Sequence, residues 1–193
     1  TFDFFRQFRI VRDHYDKTVF RDLLQKVHDL GLIHRDISPD NIMMAPDGSM
    51  KLLDFGAARD FQAGGGKSLS VMLKPGYAPE EQYRTQGDQG PWSDVYALAG
   101  TIYKCLTGVT PPESMERLRT DHLVPPNQLG AGLSPSQEQT LLRALAVYKE
   151  NRIQSMNELH GGLYGGEIPG YTPPPVNTVW SGGGGTGGNE PTI

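Results

Sequence analysis

Of the chain's 193 residues only one is a cysteine, Cys105, so no intramolecular disulfide can form. That excludes covalent staples as a source of stability and fits a reducing compartment. Cys105 lies in the apolar run Tyr96 to Leu106 and reads as a small buried hydrophobe rather than a reactive thiol. Basic charge is also scarce: 18 Lys and Arg stand against 22 Asp and Glu, a formal net charge of -4. Nucleic-acid binders carry a basic face, so no nucleic-acid partner is expected. No stretch approaches the roughly 18 consecutive apolar residues of a membrane-spanning helix, and none reads as a secretory leader. A cytoplasmic protein is expected from these absences, about one domain long and large enough for a real core.

What is present centres on Gly31 to Asn41, GLIHRDISPDN, read together with Lys51-Leu52-Leu53-Asp54-Phe55-Gly56 and then Ala78-Pro79-Glu80. The order and spacing resemble the H-R-D-x-x-x-x-N, D-F-G and A-P-E signature of protein kinases. The chain resembles the C-terminal lobe of a bacterial eukaryotic-like serine/threonine protein kinase. The resemblance implies a mainly α fold with short β-hairpins, an ATP and Mg²⁺ requirement, and a protein substrate. The chemistry accounts for the spacing. Phosphoryl transfer needs little covalent help, so the protein must position the acceptor hydroxyl, hold Mg²⁺ on the phosphates and neutralise charge. Asp36 would orient the hydroxyl and accept its proton. Asn41 and Asp54 would hold Mg²⁺, because hard cations take carboxylate and amide oxygens.

Before the signature, residues 1–14 mix aromatics and arginines without a period and are not assigned. From about Lys17 to Leu30 the apolar residues Val19, Phe20, Leu23, Leu24, Val27 and Leu30 recur at three and four, which predicts an amphipathic helix stopped by Gly31. His28 reads as a packed helix-end histidine. Ile42-Met43-Met44 and Met50-Lys51-Leu52-Leu53 flank the turn signal Pro46-Asp47-Gly48 and predict a hairpin with Asn41 and Asp54 at its open end.

Residues 57–77, with Gly64-Gly65-Gly66, read as a flexible loop and, by resemblance, as the activation segment. Ser68 and Ser70 are its candidate phosphoacceptors. Arg35 is the guanidinium that would receive the phosphate. His34 is taken as a structural member of the loop. Ser93 is expected to cap a helix from Val95 to Leu106 ended by Gly108, apolar nearly all round and hence buried. By resemblance, Asp94 at its start bonds the catalytic-loop backbone. After Pro111-Pro112 only weak helical signal remains around Ser114 to Leu118. Ser134-Pro135-Ser136-Gln137 is a capping box with proline at the first helical position, followed by Leu141, Leu142, Leu145 and Ala146 on one face. Arg152 matches the arginine that family members pair with the glutamate of A-P-E, so Arg152 is expected on Glu80. From Gly161 to Ile193 the Gly- and Pro-rich sequence predicts a disordered tail or linker, beyond which a membrane anchor could follow in a longer parent at the cytoplasmic face of a membrane.

The family's other lobe carries a Gly-rich phosphate loop, a strand lysine and a helix glutamate. Only about 15 residues precede the first recognisable helix, too few for five strands of about 5 to 6 residues and their turns. The resemblance therefore covers roughly residues 15–160. The N-terminal lobe is expected to be absent, and the chain alone is expected to be an inactive piece of a kinase. A catalytically silent pseudokinase or scaffold and a small-molecule phosphotransferase are the alternatives. Ala78-Pro79-Glu80 and the Asp94 helix count against the second of these.

One departure from the family pattern stands out. Serine/threonine kinases usually place a lysine two residues after the catalytic Asp and a threonine shortly before A-P-E. Here Ser38 stands at the first place and Lys74, in Leu73-Lys74-Pro75-Gly76-Tyr77, near the second. The two side chains look exchanged between facing loops. The expectation is that Lys74 reaches back over Asp36 to supply the charge while Ser38 supplies the hydroxyl.

Overall fold

The computed structural model describes residues 19–44, 50–60 and 73–165. Helix α1 spans Val19–Asp29. Its Leu24 and His28 are buried. Leu30, expected on the same apolar face, is 76% exposed. The helix stops one residue earlier and the chain reverses at Gly31 with a φ of 76°, which carries Leu30 off the buried stripe.

Strand β1, Leu32–Ile33, follows and leads into the H-R-D loop. β2, Ile42–Met44, pairs antiparallel with β3, Met50–Leu52, with Ile42 opposite Leu52 and Met43 opposite Lys51. Alternation along the strands turns Ile42 and Leu52 into the core and leaves Met43 44% exposed. The turn signal Pro46-Asp47-Gly48 lies outside the described residues. β4, Arg59–Asp60, returns to pair antiparallel with β1, Ile33 opposite Arg59. This second pairing has no turn signal in the sequence, and it brings the chain after Asp54-Phe55-Gly56 back beside the H-R-D loop.

Helix α2 runs Pro91–Thr107, a turn longer at its start than the sequence implies. Pro91, not Ser93, opens it, because a proline loses nothing at a position whose N–H is unpaired anyway. Ser93 sits one turn in, where its hydroxyl accepts from the Gly90 N–H at 3.3 Å. The helix is buried almost continuously from Ser93 to Thr101 and forms the axis of the core. A short α3, Ser114–Arg117, follows the proline loop. α4, Pro135–Ala144, begins on the reciprocal Ser134 and Gln137 cap: Gln137 N–H donates to Ser134 Oγ at 3.3 Å, and Ser134 N–H to Gln137 Oε1 at 3.0 Å. It buries Leu141 and Ala144, with Leu145 just past its end.

α5, Met156–Tyr164, corrects the expectation that a disordered tail begins at Gly161. Ser155 Oγ caps it by accepting from Glu158 N–H at 3.1 Å. Met156, Leu159 and Leu163 bury one face against α1 and α4, and that packing holds Gly161 and Gly162 helical despite their low propensity. The remainder of the predicted tail, 166–193, lies outside the described residues. Among the described residues no helix is long and apolar enough to cross a membrane. Cys105 is half-buried on α2, where burial pushes its thiol up to about 12.

Candidate active site

The site forms where the β1–β2 connection, the start of the chain after β3 and the turn at residues 73–78 converge. Arg35 enters the first of these with a φ of 72°, a left-handed backbone that costs a non-glycine residue about 1–2 kcal/mol. Partners on both sides hold it there. Its N–H donates to Asp94 Oδ1 at 2.9 Å, and its carbonyl accepts from Gln82 Nε2 at 3.0 Å. The neighbouring N–H of His34 donates to Asp94 Oδ2 at 2.8 Å. His34 is fully buried with its ring edge-on to Phe55, centroids 4.6 Å apart, and burial holds its pKa below the ordinary histidine value.

Asp36, half-buried, is gripped at both carboxylate oxygens. Asn41 Nδ2 donates to Oδ2 at 2.7 Å and to the Asp36 carbonyl at 2.8 Å. Lys74 Nζ lies 3.2 Å from Oδ1. The same ammonium is 2.8 Å from Ser38 Oγ, and Ser38 is completely buried. Asn41 is locked to the opposite strand end, since Leu53 N–H donates to its carbonyl at 2.8 Å. Asp54, also left-handed at φ 59°, uses Oδ1 to accept from Gly56 N–H at 2.9 Å and is exposed. A small pocket beside Asp36 is lined by Arg35, Ile37, Leu73, Lys74 and Tyr77.

Arg35 presents a buried guanidinium whose Nε has no hydrogen-bond partner among the described residues. Burial, and then the nearby Arg59, lower its pKa from the ordinary arginine value. Ser68 and Ser70 lie outside the described residues.

The expected Arg152 to Glu80 pair is displaced by one residue. Arg152 grips Glu81 instead, Nη1 to Oε1 at 2.7 Å and Nη2 to Oε2 at 3.2 Å, and both side chains are buried. Its remaining donors go to the carbonyls of Ala146, Val147 and Trp92, and Ser93 Oγ donates to Glu81 Oε1 at 2.9 Å. Glu80 turns to Arg84, 2.5 Å away and 58% exposed. The physical reason is the 3-10 turn at Glu80–Gln82. It points successive side chains in different directions, and only Glu81 faces the start of α2. The sequence reading also missed Gln82 and Arg59, neither of which stands in a motif; each acquires its role from a contact across the fold.

Among the described residues no cluster of three or more His, Cys, Asp or Glu side chains forms a metal cage. Asn41 and Asp54 both carry hard oxygens, and the Leu53 N–H to Asn41 carbonyl bond joins their two chain segments. With Nδ2 of Asn41 committed to Asp36 and one Asp54 oxygen to Gly56, each residue has an oxygen left to offer. A Mg²⁺ that takes few protein ligands and completes its shell with phosphates and water fits that donor set.

The protein kinase domain model matches residues 9–140. The serine/threonine-protein kinase PknB of Mycobacterium tuberculosis is 36% identical over 156 residues, which cover 74% of this chain and 24% of that protein. PknB of Mycolicibacterium smegmatis is 33% identical over 146 residues, 70% of this chain and 23% of the relative. PknL of M. tuberculosis is 43% identical over 89 residues, 46% of this chain and 22% of the relative. A solved structure described as PpkA-294 in its apo form is 37% identical, with a TM-score of 0.63, covering 75% of this chain and 50% of that one. The chain thus spans about a quarter of the length of the curated relatives it matches. A helix-rich core with a few short strands, the three signature motifs in order and these likenesses together place the chain in the protein kinase domain family.

Proposed function

We propose that this chain is the catalytic region of a protein serine/threonine kinase, moving the γ-phosphoryl group of ATP to a hydroxyl of a protein substrate. The observation that carries the reading is the Asp36 carboxylate, held at one oxygen by Asn41 and at the other by Lys74 beside a small pocket. A carboxylate fixed in this way is suited to orienting a hydroxyl and taking its proton as the oxygen–phosphorus bond forms. Asn41 and Asp54 would hold Mg²⁺, which supplies positive charge on the phosphate oxygens when bound. Asp94 and Gln82 act at one remove, by fixing the backbone on which Asp36 rides. Arg35 is the natural receiver for a phosphate on Ser68 or Ser70, because a guanidinium grips phosphate bidentately.

The test is phosphate transfer from labelled ATP by the full-length protein, read on a protein substrate with phosphoamino-acid analysis. Asp36→Asn and Asp54→Asn are expected to lose transfer by about 10² or more with the melting curve kept, since these charges act on acceptor and cation rather than on the core. Wild-type turnover in either variant would contradict the assignment, and a folded wild-type protein without transfer would favour a silent scaffold.

A further inference from the structure

The stretch Asp36 to Asn41, DISPDN, contains two carboxylates and no cation. Among the described residues, a cation that reaches it comes from elsewhere in the chain. Lys74 Nζ stands 2.8 Å from Ser38 Oγ, 3.2 Å from Asp36 Oδ1 and 4.0 Å from Asp40 Oδ2. Its side chain is only 29% exposed, which separates it from a lysine turned out to solvent.

The turn that delivers Lys74 is seated by packing. The Tyr77 and Ala78 N–H groups both donate to the Lys74 carbonyl at 3.0 Å. Gly76 takes a φ of 84°, and a Cβ there would stand 2.6 Å from both the Pro111 carbonyl oxygen and Thr110 Cγ2. Below it, a Cβ on Gly100 of α2 would lie 3.0 Å from the Gly76 carbonyl oxygen. The turn therefore rests directly on the core helix, and the lysine projects from it across the site.

We infer that Lys74 is the cation that neutralises the transferring phosphoryl group, seated on the Ser38 hydroxyl, so that the charge enters the site only together with the 73–78 turn. The inference rests on the kinase reading above. An ammonium has three donors. One is directed to Ser38 and one to Asp36, which leaves the third for a phosphoryl oxygen. In the step itself the acceptor oxygen bonds to the γ-phosphorus while the bond from that phosphorus to the β–γ bridging oxygen breaks. Its electron pair leaves on ADP, and the hydroxyl proton passes to Asp36 and on to water. Charge spread over the three equatorial oxygens is what a fixed ammonium stabilises, and the stabilisation acts on kcat. A cation on the catalytic loop would stay in place if the neighbouring segment moved. Here, displacing the turn removes the cation and one of the two groups gripping Asp36 in a single motion.

The experiment is steady-state kinetics on the full-length protein with wild type, Lys74→Met, Asp36→Asn and the exchange variant Ser38→Lys with Lys74→Thr, each with a melting curve. Lys74→Met is expected to lower kcat by about 10² or more, with KM for ATP within about threefold of wild type. The exchange variant is expected to recover at least about tenfold of that loss, a rescue that a merely structural lysine would not show. Normal kcat in Lys74→Met beside an inactive Asp36→Asn overturns this inference and leaves the kinase reading standing. Normal turnover in Asp36→Asn overturns both. If Lys74→Met loses its melting transition, the exchange variant decides, and a folded exchange variant with less than about a hundredth of wild-type turnover overturns the proposal.

Discussion

His28 Nε2 and Asp94 Oδ2 lie 2.8 Å apart in the core, joining α1 to α2 across 66 positions of sequence. The same carboxylate accepts the N–H groups of His34 and Arg35, so one fully buried side chain ties two helices to the H-R-D loop. A buried carboxylate is tolerable only when its oxygens are all occupied, and here three donors occupy them.

Removing that carboxylate leaves the donors buried without partners. Asp94→Ala is expected to lower unfolding stability by about 3–5 kcal/mol in urea denaturation. His28→Phe, which keeps a ring in the same space and leaves Asp94 its two backbone donors, is expected to cost about 1 kcal/mol. Equal losses for the two variants would mean that the carboxylate is not the organising group.

The shift of the Arg152 partner from Glu80 to Glu81 separates two adjacent glutamates by energy. Glu81→Ala strands a buried guanidinium and is expected to cost about 3–5 kcal/mol. Glu80→Ala removes only a contact to the largely exposed Arg84, worth about 1 kcal/mol or less after solvent screening. Thermal or urea melts of the two variants check this, and a larger loss at Glu80 would reverse the assignment.

Burial, and then the nearby Arg59, hold the Arg35 pKa below the ordinary arginine value, and its buried Nε has no partner among the described residues. Phosphate on Ser68 or Ser70 is expected in active full-length protein, and Ser68→Ala with Ser70→Ala is expected to lower activity about tenfold or more. Mass spectrometry that finds no phosphate between Phe61 and Lys74 in an active preparation would remove the idea.

Much of this was legible in the residues alone, wherever chemistry acts over a few positions. The Ser134 capping box, the stop at Gly31, the β2–β3 hairpin and the spacing of Asp36, Asn41 and Asp54 are local, because caps, turns and pleats are set by neighbours in the chain. An error of one turn arose where two local signals competed, as with Pro91 and Ser93, and α5 was missed because its glycines outweighed a short apolar period. What only the tertiary structure decided is which distant groups meet. Either Glu80 or Glu81 could have answered Arg152 by composition, and a 3-10 turn chose between them. The β1–β4 pairing, the Gln82 hold on Arg35 and the reach of Lys74 to Ser38 likewise depend on how α2 seats the loops around it. A charge or an amide carries no information about its partner until packing has excluded the others.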